Sequence, residues 1–128
     1  MAGDSGAAAD RTTILVVEDN ENVRELILKA LAPTGSHLLV AGSAAEAIAA
    51  AAGTHVDLLL TDVGLPGPSG TELATTLCAE RPALRVIYMT GWQEHTALAD
   101  VPDGVLLSKP FNLAELARVV ANALANDP

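Results

Sequence analysis

A chain of 128 residues, half of them hydrophobic, is one domain's worth of polypeptide and can bury a core of its own. Its formal charge of −9 removes the basic face that direct nucleic-acid binding needs and disfavours an anionic membrane surface, while suiting a site that holds a cation. Cys78 is the single cysteine, so no internal disulfide forms and a reducing, cytoplasmic setting fits; no apolar run approaches the roughly 20 residues that span a bilayer.

Met1 to Thr12, rich in Ala, Gly and Asp, lacks the basic start and apolar middle of a signal peptide. It is expected to be a disordered tail, with the domain running over 13–126. Ile14 to Val17 is a short aliphatic run, expected as a strand, and Glu18, Asp19 and Asn20 follow it at once. Val23, Leu26, Ile27, Ala30 and Leu31 recur at helical spacing, with Asn20 as N-cap and Pro33 and Gly35 as the stop. His37 to Val40 is a second strand. Ser43 and Glu46 read as a capping box before an alanine-rich helix that stops near Gly53.

Val56 to Leu60, broken only by Asp57, reads as a strand buried on both faces. It leads to Asp62 and then to a loop with Pro66, Pro68, Gly64, Gly67 and Gly70, through which neither helix nor strand continues easily. Ser69 and Glu72 form a second capping box, and the helix it opens, with Leu73 and Leu77, ends at Pro82. Arg85 to Met89 is a fourth strand ending at Thr90 and Gly91. Gln93 to Asp100 is weakly patterned and could hold a short helix. Val105 to Leu107 is a fifth strand, followed by Ser108, Lys109 and Pro110. A third box, Asn112 and Glu115, opens a last helix lined by Leu113, Leu116, Val120 and Leu124.

Five strand-then-helix units without a hairpin predict an α/β fold: a parallel sheet with helices on both faces, each crossover right-handed. The polar residues that follow the strands then share one edge: Glu18 and Asp19, Asp62, Thr90 and Lys109. Three carboxylates so close repel one another unless a cation joins them, and an all-oxygen set without His or Cys suits Mg²⁺. Metal, ammonium and hydroxyl together make an electropositive pocket around Asp62, fitted to the oxygens of a phosphoryl group.

Four stretches resemble one family in its own order: Val16-Val17-Glu18-Asp19-Asn20, Leu60-Thr61-Asp62 with Pro66 and Gly70, Met89-Thr90-Gly91, and Ser108-Lys109-Pro110-Phe111. The chain resembles the response-regulator receiver domain of two-component signalling. The resemblance implies a flavodoxin-like three-layer fold with sheet order 2-1-3-4-5. Asp62 would accept a phosphoryl group from a phosphohistidine on a sensor histidine kinase or histidine phosphotransfer protein, and then switch a surface read by a downstream protein. Glu18, Asp19, Asp62 and the backbone carbonyl of Gly64 would hold Mg²⁺. Lys109 would pair with Asp62 and later with a phosphoryl oxygen, and Thr90 would swing toward the phosphoryl group. A cis Lys109-Pro110 peptide is expected on the same basis.

The chain departs from the family's pattern where an aromatic residue usually precedes the lysine by three; here that position is Leu106. Thr90 and Lys109 also lie closer together than is usual, which looks like receivers attached to hybrid sensor kinases, so a single-domain regulator and an excised receiver both fit. Gly64 leaves access for water to an acyl phosphate, whereas Trp92 either covers part of the pocket or is an exposed loop residue. His37, His55 and His95 read as surface residues, Cys78 as packing, Asp57 as a turn residue and Phe111 as a support for the Lys-Pro bond. Three alternatives stand beside the receiver. A pseudo-receiver that binds without phosphorylation would be free to lose any of the five residues. A phosphohydrolase of the haloacid-dehalogenase type needs an acid where Gly64 stands. A flavodoxin-like flavin carrier would not put Glu18-Asp19 against a phosphate.

Overall fold

The computed structural model describes residues 12–91 and 104–125. Strand β1 (Thr13–Val17) leads to helix α1 (Glu21–Leu31) and a short 3-10 turn (Ala32–Thr34); β2 (His37–Ala41) leads to α2 (Ala44–Ala51). Next come β3 (Leu58–Asp62), α3 (Gly70–Glu80), β4 (Arg85–Thr90), β5 (Val105–Ser108) and α4 (Leu113–Ala125). The strands form one sheet in the order β2-β1-β3-β4-β5, every pair parallel, as expected. The tail, Trp92, His95 and the weakly patterned Gln93 to Asp100 lie outside the described residues.

Alternation along the strands sends side chains to two cores, one on each face. Leu15, Val17, Leu59, Val86 and Tyr88 pack under α2 and α3, with Ala44, Ala47, Ala51, Leu73 and Leu77. On the opposite face, Ile14, Val16, Leu58, Leu60, Ile87 and Met89 pack under α1 and α4, with Ile27, Leu31, Leu116 and Val120. Strands β1, β3 and β4 are therefore apolar on both sides, the pattern that marks a parallel sheet. Cys78 packs beside the first core, and burial pushes its thiol pKa up, as a packing residue's would be. Among the described residues no helix is long and apolar enough to cross a membrane.

Local chemistry sets the element ends. The Asn20 side chain accepts the Val23 N–H at the start of α1. Both halves of the box are present at Ser69 and Glu72 and again at Asn112 and Glu115. The Ser43 box is only half made: Ser43 Oγ accepts the Glu46 N–H, but Glu46 reaches past it to the Gly42 N–H at 2.8 Å. Asp57 does more than turn the chain. Its Oδ2 accepts the Thr13 N–H at 2.8 Å, its N–H donates to the Thr13 carbonyl at 2.9 Å, and its Oδ1 meets His55 Nε2, so it closes the ladder at the amino ends of β1 and β3. Strand β3 itself begins at Leu58, two residues later than the apolar run that starts at Val56.

Candidate functional site

The carboxyl ends of β1, β3, β4 and β5 meet at one rim, and they bring together the five residues singled out in the sequence. Glu18 follows β1, Asp62 closes β3, Thr90 closes β4 and Lys109 follows β5. Lys109 Nζ donates to Asp62 Oδ2 at 3.0 Å and to Glu18 Oε1 at 3.3 Å. The other oxygen of Asp62 accepts the Gly64 N–H at 3.2 Å, and Glu18 Oε2 accepts the Asn20 N–H at 3.2 Å. One carboxylate oxygen from each of Glu18, Asp19 and Asp62 lies within 4.8 Å of the others. Glu18 and Asp62 are buried at 1% and 5% exposure, whereas Asp19 faces solvent.

Backbone bonds hold this geometry. The Glu18 N–H donates to Ala41 O of β2 at 3.1 Å, and Arg24 Nη1 donates to the Glu18 carbonyl at 2.8 Å. The Lys109 N–H donates to Thr90 O at 2.7 Å, joining the ends of β4 and β5. The Lys109-Pro110 peptide is cis, as expected, and Phe111 packs against the core under α1 and α4. Nothing in the sequence distinguishes Arg24 from an ordinary helix-surface arginine, and Gly70 stands out there only as part of a motif. A Cβ at Gly70 would run into the Asp62 carbonyl oxygen and lie 2.9 Å from both the Asp62 carbonyl carbon and Thr61 Oγ1. The start of α3 thus rests on the backbone of Asp62, which only glycine permits.

Electrostatics point the same way. Burial pushes the Glu18 carboxyl above its ordinary pKa, the Asn20 N–H draws it down, the Asp62 charge raises it and the Lys109 charge lowers it, with a net rise. For Lys109, burial works against the ammonium, but the hydrogen bond and charge of Asp62, then those of Glu18, outweigh it and the pKa is raised. The lysine is therefore a fixed positive charge. One ammonium does not neutralise three carboxylates, and oxygen-only donors with a partly exposed acid leave a place suited to a hard divalent ion with water in its shell. Mg²⁺ fits the residues present.

Thr90 Oγ1 is buried and has no hydrogen-bond partner among the described residues. Thr90 stands one residue beyond Met89, the register partner of Asp62, so this hydroxyl is a spare donor at the same rim. An apolar groove of about 370 Å³, lined by Val23, Leu26, Ile27, Pro110, Phe111 and Leu113, adjoins Lys109. A cavity of about 430 Å³ lies at the opposite ends of the strands, around His55, Asp57, Arg81 and Arg85. It has no part in the acidic rim.

A doubly wound parallel sheet with acids, a threonine and a lysine at its carboxyl edge defines a flavodoxin-like domain whose rim has the chemistry suited to a hard cation and an anionic group. Residues 14–121 match the model of the response regulator receiver domain, and the chain belongs to that family. It is 34% identical over 115 residues to the response regulator receiver protein CpdR of Brucella abortus, covering 87% of this chain and 95% of that protein. It is 36% identical over 120 residues to the DNA-binding transcriptional regulator NtrC of Azospirillum brasilense, covering 91% of this chain and 25% of NtrC. The chain thus spans nearly all of one relative and a quarter of the other. The crystal structure of a response regulator receiver protein from Sinorhizobium medicae superposes with a TM-score of 0.81 at 27% identity, covering 91% of this chain and 97% of that one. This is a receiver domain with a phosphoacceptor role in two-component signalling, a class of domain that works with sensor kinases and downstream effectors.

Proposed function

We propose that Asp62 is the phosphoacceptor and that the phosphohistidine of a sensor histidine kinase or histidine phosphotransfer protein is its donor. One observation carries this: a nearly buried carboxylate bonded to a lysine ammonium, with two further acids converging on it. An Asp62 carboxylate oxygen would form the new bond to phosphorus as the phosphorus–nitrogen bond to the donor histidine breaks, the electron pair leaving on the imidazole. Lys109 would meet one phosphoryl oxygen and Thr90 would give its spare hydroxyl donor to another. When bound by Glu18, Asp19, Asp62 and the Gly64 carbonyl, Mg²⁺ supplies neutralising charge to the phosphoryl oxygens. The domain promotes only its own phosphorylation and dephosphorylation, in the cytoplasm, and hands its state to a protein target without contacting nucleic acid.

The direct test is a small-molecule phosphodonor with Mg²⁺, read by intact mass. One added phosphoryl group, dependent on Mg²⁺, is expected. Multiple-turnover release of phosphate from varied monoesters would instead mark a phosphohydrolase.

Mg²⁺ should also stabilise the fold, by about 2.7 kcal/mol at a hundredfold excess over its Kd, or roughly 10 °C in Tm. Because the Glu18 pKa is raised by folding, its protonated form favours the metal-free fold: that contribution is complete below the unfolded value and is lost as pH rises through the folded one. Mg²⁺ binds the ionised form, so the gain in Tm should grow as pH rises through the folded pKa. In Glu18→Gln, melts with and without Mg²⁺ should show a smaller gain that no longer tracks this proton. A wild-type gain independent of pH would exclude Glu18 from the metal's ligands.

Leu106 is 47% exposed on edge strand β5. Leu106→Ala should cost less than about 1 kcal/mol and leave phosphoryl uptake intact. Loss of uptake by intact mass would show that the site extends to this side chain.

A further inference from the structure

Strand β2 is an edge of the sheet, and among the described residues no strand lies on its outer side. In the parallel ladder with β1, the backbone groups of His37, Leu39 and Ala41 face inward, as the His37 N–H to Thr12 O and Glu18 N–H to Ala41 O bonds show. The N–H and C=O groups of Leu38 and Val40 therefore face outward, and among the described residues nothing pairs with them. The neighbouring outward donors are already used: the Ser36 N–H by Thr34 Oγ1 and the Gly42 N–H by Glu46.

Natural edges are guarded by charge, proline or a bulge. His37-Leu38-Leu39-Val40-Ala41 has no proline and no formally charged side chain, and Val40 is 40% exposed. Helix α2 packs over β2 and β1 and, with Glu46 its one charged residue, turns apolar side chains outward as well: Ala45, Ile48 and Ala49 are exposed, Ile48 by 43%. Exposed apolar side chains on a helix beside an open edge are surface that a partner can cover.

We propose that β2 pairs antiparallel with β2 of a second copy of this chain, about a two-fold axis through Leu39. The register satisfies itself. Leu38 exchanges both backbone bonds with Val40 of the partner subunit, Val40 does the same with the partner's Leu38, and Leu39 faces its own copy as the non-bonded pair between them. All four outward groups on each strand are used, and the three central cross-strand pairs are aliphatic, with His37 opposite Ala41 of the partner subunit at each end. For copies that each carry a charge of −9, a strand without charge is where like-charge repulsion is least. A stable dimer buries about 1,200–2,000 Å² in total, more than one strand pair supplies, and the outward side of α2 provides apolar area beside the joined strands.

Light scattering and sedimentation over a concentration series of the 128-residue chain test this. The expected result is a particle of twice the 13.1 kDa chain mass, with amide exchange at Leu38 and Val40 slowing as it forms. Val40→Pro removes an outward N–H that the monomer fold does not use, and Val40→Lys adds charge to the edge; Ile48→Glu tests α2. Each should weaken association by about 30-fold or more, since every change acts twice across the axis. An unchanged far-ultraviolet circular dichroism spectrum and a cooperative melt in Val40→Lys show that the domain is intact. A chain that stays monomeric up to about millimolar concentration, or a dimer indifferent to all three changes, overturns the proposal. So does a dimer in which Leu38 and Val40 exchange as fast as in the monomer. None of these results depends on Asp62 taking a phosphoryl group.

Discussion

Asp62→Asn should abolish phosphoryl uptake, with no added mass at any donor concentration that fully modifies the wild type. The amide that replaces the carboxylate carries no negative charge and is a poor nucleophile toward phosphorus, so the bond-forming group is lost while its shape is kept. The fold should survive. The amide oxygen of the variant can still accept a bond from Lys109 or from the Gly64 N–H, and the substitution removes one of three mutually repelling charges. Mg²⁺ affinity should fall by about tenfold or more, since a third of the acidic donors is gone. Intact mass and a metal titration on the same sample separate the two effects. Persistent phosphorylation at another residue would remove Asp62 from the centre of the chemistry.

The largest effect on stability should come from Gly70→Ala, although Gly70 has no side chain and touches no ligand. Its Cβ would press on the Asp62 carbonyl group and Thr61 Oγ1, atoms of β3 that cannot swing aside as a flexible side chain could. Thr61 Oγ1 is itself held by a 3.0 Å bond to Asp62 O, and the Gly70 N–H by one to Val63 O. Relief requires α3 to lift from the end of the strand. We expect a cost of about 2–4 kcal/mol, roughly 10 °C or more in Tm, with slower phosphoryl uptake because Asp62 moves too. Gly67→Ala is the control. Gly67 has φ of 74° but nothing within 4 Å of its Cβ position, so only backbone strain of about 1 kcal/mol applies. Equal losses in the two variants would mean that contact with β3 is not what fixes Gly70.

The elements legible in the sequence were those written in local code. Apolar strand runs, helix periodicity, Asn20 as a cap and the Ser69 and Asn112 boxes depend on residues within one or two turns of each other. The convergence of Glu18, Asp19, Asp62 and Lys109 was legible too, for a topological reason: a parallel sheet delivers the carboxyl end of every strand to one edge, so residues far apart along the chain could be placed together without knowing any contact. Contacts between remote segments left no such trace. Asp57 looked like a turn residue because its partner, Thr13, is 44 positions away. Arg24 gave no sign that it grips the Glu18 carbonyl, and Glu46 chose Gly42 over Ser43 because of how β2 enters α2. Glu18 and Asp19 read as an equivalent pair, yet consecutive residues at a strand end point in different directions, and one is enclosed while the other is wet.

A single bond, Glu18 N–H to Ala41 O, ties the enclosed acid to the last residue of the outermost strand. Through it, a stiffer sheet margin would narrow the positions open to the Glu18 carboxylate, the group proposed to hold the cation. Thermodynamic reciprocity then requires that any tightening of cation affinity gained by clamping that margin be returned, by the same factor, to whatever does the clamping. Crowding of the chain and supply of the ion would act on one equilibrium, and a domain without an aromatic rotor at Leu106 would still have a way to report its chemical state at its far side.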